Sequence, residues 1–108
     1  MAQEKIVAKP QEISSNRTIF ITSIIVTISD INYGGHLGHA NMVSLIHEAR
    51  IRFLKEYGYS ESDIQGAGLI VSELDVRYLK QVYHGETLTF KISISDISKA
   101  RATLIYTI

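Results

Sequence analysis

One segment of this sequence has the spacing of an amphipathic helix, and most of the other patterned segments indicate strands. Residues 41–57 repeat apolar side chains at helical intervals, and Gly58 suits the left-handed conformation that often ends a helix. The shared apolar face consists of Met42, Leu45, Ile46, Ala49 and Phe53. The apolar surface is widened by Val43, Ile51 and Leu54. We therefore expect a helix that is covered on more than one side.

The strand signals surround this helix. Residues 17–29, 68–78, 87–95 and 102–108 are rich in β-branched residues or alternate apolar with polar positions. The doubly apolar middle of the first segment indicates burial on both faces. Turn residues near Gly85 and in 96–99 predict antiparallel hairpins after the helix, and thus an α+β fold. The last strand would leave an open edge, which favours sheet extension between two subunits.

Composition indicates a single domain with few electrostatic partners. The chain has 108 residues, and its polar first 16 predict an N-terminal arm before a domain at 17–108. Eleven basic residues balance eleven acidic ones, which argues against broad binding to nucleic acid or anionic membranes. No cysteine is present, so thiolate catalysis and zinc-thiolate sites are excluded. The sequence lacks a secretory or membrane-spanning pattern, and we expect a cytoplasmic protein.

The polar loop that leads into the helix is the candidate for chemistry. Backbone amides at a helix start can stabilise developing negative charge, and nearby polar side chains can direct water. The two loop histidines lack a third ligand, so we predict a site without metal. The candidate residues of this loop are Asp30, Asn32, Gly34, Gly35, His36, Gly38 and His39.

The sequence DINYGGHLGH from Asp30, followed by a helix that carries HEAR from His47, resembles the hotdog-fold acyl-CoA thioesterases. The 4-hydroxybenzoyl-CoA thioesterase-like branch is the most similar, and YHGETL from Tyr83 adds to the resemblance, which spans residues 17–108. It implies a long helix wrapped by a curved antiparallel sheet. It also implies an active site between subunits of a homodimer, often within a homotetramer. The implied reaction is hydrolysis of an acyl-CoA or acyl-carrier-protein thioester by water, without a cofactor.

The resemblance also assigns roles, with one departure. Its best-known branch has a carboxylate where this chain has Asn32, and an amide cannot act as a general base at neutral pH. Glu48 on the polar side of the helix is the favoured base, and Asp30 is the other candidate. An ion pair with Arg52 explains Glu48 equally well, and a turn or capping role is the stronger explanation for Asp30.

Further roles follow from the same resemblance. Asn32 and His36 would position water, although a structural role bonded to the backbone explains His36 somewhat better. The backbone N–H of His39 would bind the oxyanion, and the three glycines would allow the substrate to approach. Arg77 and Lys80 are candidate ligands for coenzyme A phosphates, with solvated surface charge as the alternative.

Two other functions fit the same residues. A non-catalytic hotdog module would bind an acyl thioester without cleaving it, which the amide at Asn32 favours. A hotdog hydratase or dehydratase would pair a histidine with an acid, as His36 and Glu48 could do. The sequence favours the thioesterase over both.

Overall fold

The described fold consists of one long helix and one five-stranded antiparallel sheet. The computed structural model describes residues 2–5, 17–64, 66, 68–71, 73–76, 80–95 and 102–108. Its elements are β1 (Ala2–Lys5), β2 (Thr18–Ile25), a 3-10 turn (Ile28–Asp30), α1 (His39–Glu56), β3 (Glu73–Val76), β4 (Thr87–Ser95) and β5 (Thr103–Thr107). The predicted α+β class is confirmed. None of the helical segments in these ranges is long and apolar enough to cross a membrane.

The strands are ordered β2-β4-β5-β1-β3, and every neighbouring pair is antiparallel. Ile92 at the centre of β4 aligns with Phe20 of β2 and with Tyr106 of β5. The consecutive pair β4 and β5 fits the hairpin prediction. A hairpin between β3 and β4 was also predicted, and this is wrong because β3 lies at the opposite edge of the sheet, next to β1.

Residues 2–5 lie within the sheet, whereas the sequence predicts an arm there. The backbone of Gln3 aligns with Ile105 in β5 and with Asp75 in β3. Backbone hydrogen bonds join strands whatever the polarity of their side chains, so the short polar sequence gave no strand signal. In consequence β5 has a neighbour on each side, and the predicted open edge at the last strand is wrong. The outer strands of the described sheet are β2 and β3.

The core lies between α1 and one face of the sheet. All five residues of the predicted helix face are buried, together with Leu54. They belong to one cluster with Val26, which follows β2, and with the strand residues Ile24, Phe90, Ile92, Leu104 and Tyr106. Val43 and Ile51 are exposed, so the helix is covered on a narrower surface than the sequence predicts. Gly58 adopts a φ of 79° and ends the helix as expected.

Strand β2 is buried on one face only. Phe20 contacts Phe53 of α1 with a ring-centroid distance of 5.7 Å, whereas Ile19, Ile21 and Ile25 on alternate positions are exposed. The predicted burial on both faces is therefore wrong in the described structure. The physical reason is that α1 packs against one face of the sheet only, so the side chains of β2 on the other face are not covered by a described element.

Candidate active site

A short 3-10 turn connects β2 to the candidate loop, and Asp30 closes it. One carboxylate oxygen of Asp30, Oδ2, accepts hydrogen bonds from the backbone N–H of Thr27 at 2.9 Å and from its hydroxyl at 3.0 Å. The bond from the Thr27 backbone N–H is one half of a capping box around the turn. The capping role predicted for Asp30 is thus what the geometry shows, and Oδ2 is committed to it.

The side chain of Asn32 organises the next turn of the loop. Its Oδ1 accepts hydrogen bonds from the backbone N–H of Gly34 at 2.9 Å and of His36 at 3.4 Å. The backbone N–H of Asn32 also donates to the carbonyl of His36 at 3.0 Å. Gly35 has a φ of 87°, which L side chains rarely adopt, and this explains a glycine at that position. Asn32 is exposed, and its Nδ2 has no partner among the described residues.

Close packing fixes the loop against the start of α1. A Cβ atom on Gly38, the residue before the helix, would lie 2.7 Å from Oδ1 of Asn41 and 3.8 Å from Cβ of Asn32. The Nδ2 of Asn41 donates to the carbonyl of Ser29 at 3.4 Å. A side chain at Gly38 would therefore displace the end of the Asn41 side chain, whereas the backbone itself does not need a glycine there, since its φ is −72°.

An open pocket of about 230 Å³ lies at this end of the helix. The loop is held to the segment before β4 by the backbone N–H of Leu37, which donates to the carbonyl of Val82 at 2.7 Å. The pocket is lined by His36, Leu37, His39, Met42, Lys80, Gln81 and Val82. Three of these residues, Leu37, Met42 and Val82, are buried and apolar, whereas Lys80 and Gln81 are exposed. The pocket thus combines an apolar base with two histidines and a cation.

Glu48 lies outside this pocket in the single chain. It is nine residues beyond His39, which corresponds to roughly 14 Å along the helix axis. Its Oε2 accepts a hydrogen bond from Nε of Arg52 at 2.8 Å, and half of the Glu48 side chain is exposed. The ion pair predicted as the alternative for Glu48 is therefore present. Arg52 also donates through Nη1 to the hydroxyl of Thr22 and to the carbonyl of Ser23, each at 2.9 Å.

A second charged cluster ties the opposite part of α1 to the loop that follows it. Glu61 accepts hydrogen bonds from Nε of Arg50 at 2.6 Å and makes a 2.9 Å contact with Nε2 of His47. Burial raises the pKa of the Glu61 carboxyl, but the hydrogen bonds and charges of His47 and Arg50 outweigh it and leave the pKa below its ordinary value. His47 therefore has an intramolecular partner, and about half of its side chain is exposed.

The profile of the Thioesterase-like superfamily matches residues 26–108, which is more than three quarters of the chain. The chain belongs to the Thioesterase-like superfamily. No curated protein and no solved structure matches it at a significant level. Because this superfamily is a hotdog family, the helix and antiparallel sheet described above are a hotdog fold, as predicted.

The matched part of this thioesterase-like protein includes the whole loop, α1 and the pocket. The structure brings His36, His39 and Lys80 together around the pocket and places Asn32 in the adjoining turn. It leaves Glu48 on the helix beside β2. Arg77 lies outside the described residues. No group of three or more histidine, aspartate or glutamate residues in the described ranges could hold a metal ion.

The sequence did not indicate two contributors to the site, Asn41 and Gln81, or the Arg50 of the second charged cluster. Asn41 supports the loop through its hydrogen bond to Ser29, and its place at the predicted start of the helix was an available signal. Arg50 falls on the apolar helix face, and a buried arginine signals a carboxylate partner. Gln81 lines the pocket next to Lys80, and no local pattern in the sequence could have indicated it.

Proposed function

We propose that this protein hydrolyses acyl-CoA thioesters, or less preferably acyl-carrier-protein thioesters, without a metal. The observation that carries the proposal is the pocket at the start of α1 in a chain of the Thioesterase-like superfamily. Its apolar base suits an acyl or pantetheine chain, and its polar rim stands beside the first N–H groups of a long helix. Backbone N–H groups at the start of a helix favour negative charge.

In the proposed reaction, water attacks the thioester carbonyl carbon and gives its proton to Glu48. The carbonyl oxygen, now negatively charged, accepts a hydrogen bond from the backbone N–H of His39. The C–S bond then breaks, and the thiolate of coenzyme A takes the proton from Glu48 as it leaves. Asn32 Nδ2 and the ring of His36 position the water and the carbonyl. This role is supported by Nδ2, which has no partner among the described residues, whereas Oδ1 is used by the turn.

The proposal requires two copies of the chain. Glu48 and the pocket are separated along α1 within one chain, so we propose that the base of one subunit serves the loop of another in a homodimer or homotetramer. Lys80 at the pocket rim, together with Arg77, would bind phosphates of coenzyme A. Gly34, Gly35 and Gly38 would let the thioester approach the backbone.

A panel of acyl-CoA substrates tests the proposal directly. The chain contains no cysteine, so a thiol reagent detects released coenzyme A without any signal from the protein. We expect Glu48→Ala to lower kcat by about 100-fold or more, the usual contribution of a general base. Glu56→Ala is the matched control, because Glu56 is an exposed carboxylate on the same helix without an ion pair among the described residues. Unchanged kcat in Glu48→Ala would remove Glu48 from the mechanism.

One observation favours a second function, a non-catalytic module that binds an acyl thioester. Glu48 forms an ion pair with Arg52, and Oδ1 of Asn32 accepts a hydrogen bond within the loop. Both side chains therefore have structural roles that do not require catalysis. The same panel separates the two functions. Tight binding of acyl-CoA by calorimetry with no release of thiol would support the module and contradict the hydrolase. Hydration of an enoyl-CoA, measured as the loss of its ultraviolet absorbance, would instead indicate a hydratase.

A further inference from the structure

We propose that Arg52 is a positioning residue that holds Glu48 in its catalytic orientation; this inference rests on the proposed function, in which Glu48 is the base. Its evidence is a bridge of three hydrogen bonds. One bond joins Arg52 to Glu48, and two join it to the neighbouring strand β2.

The bridge fixes the guanidinium group from two directions. Nη1 donates to the hydroxyl of Thr22 and to the carbonyl of Ser23, each at 2.9 Å, while Nε donates to Oε2 of Glu48 at 2.8 Å. A guanidinium is planar and carries its N–H groups in a fixed fork, so anchoring one nitrogen on the sheet sets the direction of the others. The orientation of the Glu48 carboxylate is thereby set by the sheet as well as by its own helix.

This arrangement differs from an ordinary pair of opposite charges one helical turn apart. Such pairs on an exposed surface are mobile and contribute little, because two long side chains must be ordered at once. Here the side chain of Arg52 is 40% exposed and already bonded to residues 29 and 30 positions earlier in the chain. The cost of ordering the arginine is therefore shared with its attachment to β2.

The bridge also leaves one oxygen of the Glu48 carboxylate, Oε1, available to act as a base. Arg52 occupies Oε2 of Glu48, and Oε1 has no hydrogen-bond partner in the part of the chain that the structure describes. A general base needs one oxygen that is directed and unoccupied when water arrives. The bridge supplies the direction through Oε2 and leaves Oε1 to accept the proton.

The chain offers a matched control for the structural part of this bridge. The hydroxyl of Tyr57, at the end of α1, donates to the carbonyl of Ile19 in β2 at 3.3 Å. It also ties α1 to β2 but does not touch Glu48. Tyr57→Phe therefore removes a helix-to-strand hydrogen bond of the same kind without changing the base.

The test measures kcat, KM and thermal stability of the full chain for four variants with one acyl-CoA that the wild type hydrolyses. We expect Arg52→Ala to lower kcat by about 10- to 100-fold with little change in KM, because a misplaced base loses rate rather than ground-state binding. The kcat of Arg52→Lys should lie between those of the wild type and Arg52→Ala, since an ammonium group carries the charge but lacks the planar set of N–H donors of a guanidinium. Millimolar guanidinium ion should restore part of the kcat of Arg52→Ala, and Tyr57→Phe should keep the wild-type kcat.

The outcomes separate this inference from the proposed function. If Glu48→Ala is inactive while Arg52→Ala and Arg52→Lys keep the wild-type kcat, the positioning role is overturned and the hydrolase stands. If Glu48→Ala keeps its activity, the proposed base itself is wrong. An Arg52→Ala loss that guanidinium does not restore, and that Tyr57→Phe shares, would show a purely structural bridge and overturn the inference. Should Arg52→Ala fail to fold, the kcat of Arg52→Lys relative to Tyr57→Phe decides the question.

Discussion

Replacing Glu61 should destabilise the protein, because Glu61 is the ion-pair partner of Arg50, a buried arginine of α1. The side chain of Arg50 is only 7% exposed, and its Nε donates to Oε2 of Glu61 at 2.6 Å. Glu61→Ala leaves that guanidinium without this acceptor, and it also removes the contact to His47. The loop after the helix would lose its main charged attachment to α1.

The magnitude follows from burial on the two sides of the pair. Breaking a fully buried ion pair by removing one partner costs about 3 to 5 kcal/mol. The Glu61 side chain is 30% exposed, so solvent screening reduces this to about 1 to 3 kcal/mol at neutral pH. An unfolding entropy of about 2 cal/mol/K per residue, for 108 residues, converts that range into a fall in melting temperature of about 4 to 13 °C.

Acid should remove the same contribution from the wild type. The pKa of Glu61 is lower in the folded chain than its ordinary value of 4.5, so its stabilisation is present above that value and is lost as the pH falls through the folded pKa. The difference in unfolding free energy between wild type and Glu61→Gln should therefore be full at pH 7. It should narrow steadily below about pH 4.5.

Circular dichroism during heating and urea titration measures both effects, at one protein concentration because association shifts apparent stability. Glu56→Gln serves as the control for removing a helix carboxylate, and we expect it to be neutral within about 0.5 kcal/mol. The reasoning is refuted if Glu61→Ala costs no more than this control at pH 7. A gap between wild type and Glu61→Gln that widens on acidification would contradict the assigned direction of the pKa.

Three further changes test the candidate loop. Gly38→Ala should cost no more than about 1 kcal/mol of unfolding free energy, because the new Cβ would lie 2.7 Å from Oδ1 of Asn41 and would displace a side chain that donates one hydrogen bond to Ser29. Urea titration should show most of that cost disappearing when Asn41→Ala is combined with it. Asn32→Ala should cost about 1 kcal/mol through two lost backbone hydrogen bonds, whereas Asn32→Asp keeps the oxygen that accepts both bonds and should unfold like the wild type. Gly35→Ala should cost about 1 to 2 kcal/mol from its φ of 87° alone, since nothing lies within 4 Å of the added carbon; a smaller loss in Gly35→Asn would confirm a backbone cause.

Local patterns predicted much of this fold. The helical spacing of apolar residues found the buried face of α1, and Gly58 marked its end. The alternation in β4 predicted that strand at residues 87–95, which are the bounds of the element. Turn chemistry identified the capping role of Asp30. Each of these features depends on residues a few positions apart, so the sequence carries the information directly.

Sheet order was beyond the reach of the same patterns. Residues 2–5 are polar, yet they form the strand between β5 and β3, because backbone groups pair without regard to side-chain polarity. Similarly, Ile19, Ile21 and Ile25 are exposed in β2, because α1 covers only the other face of this strand. The order of the strands decides the first result and the placement of the helix decides the second, and both depend on contacts between residues far apart in sequence.

By itself the sequence determined the single helix, its core face, the alternating strands and the loop that leads into the helix. Only the tertiary structure decided that Lys80 joins His36 and His39 around one pocket, and that Arg52 links Glu48 to Thr22. It likewise paired Arg50 with Glu61 across the turn after α1. The physical reason is distance along the chain: periodicity and capping act within a turn or two, whereas the charges and polar groups of the site meet only after the sheet has set their relative positions.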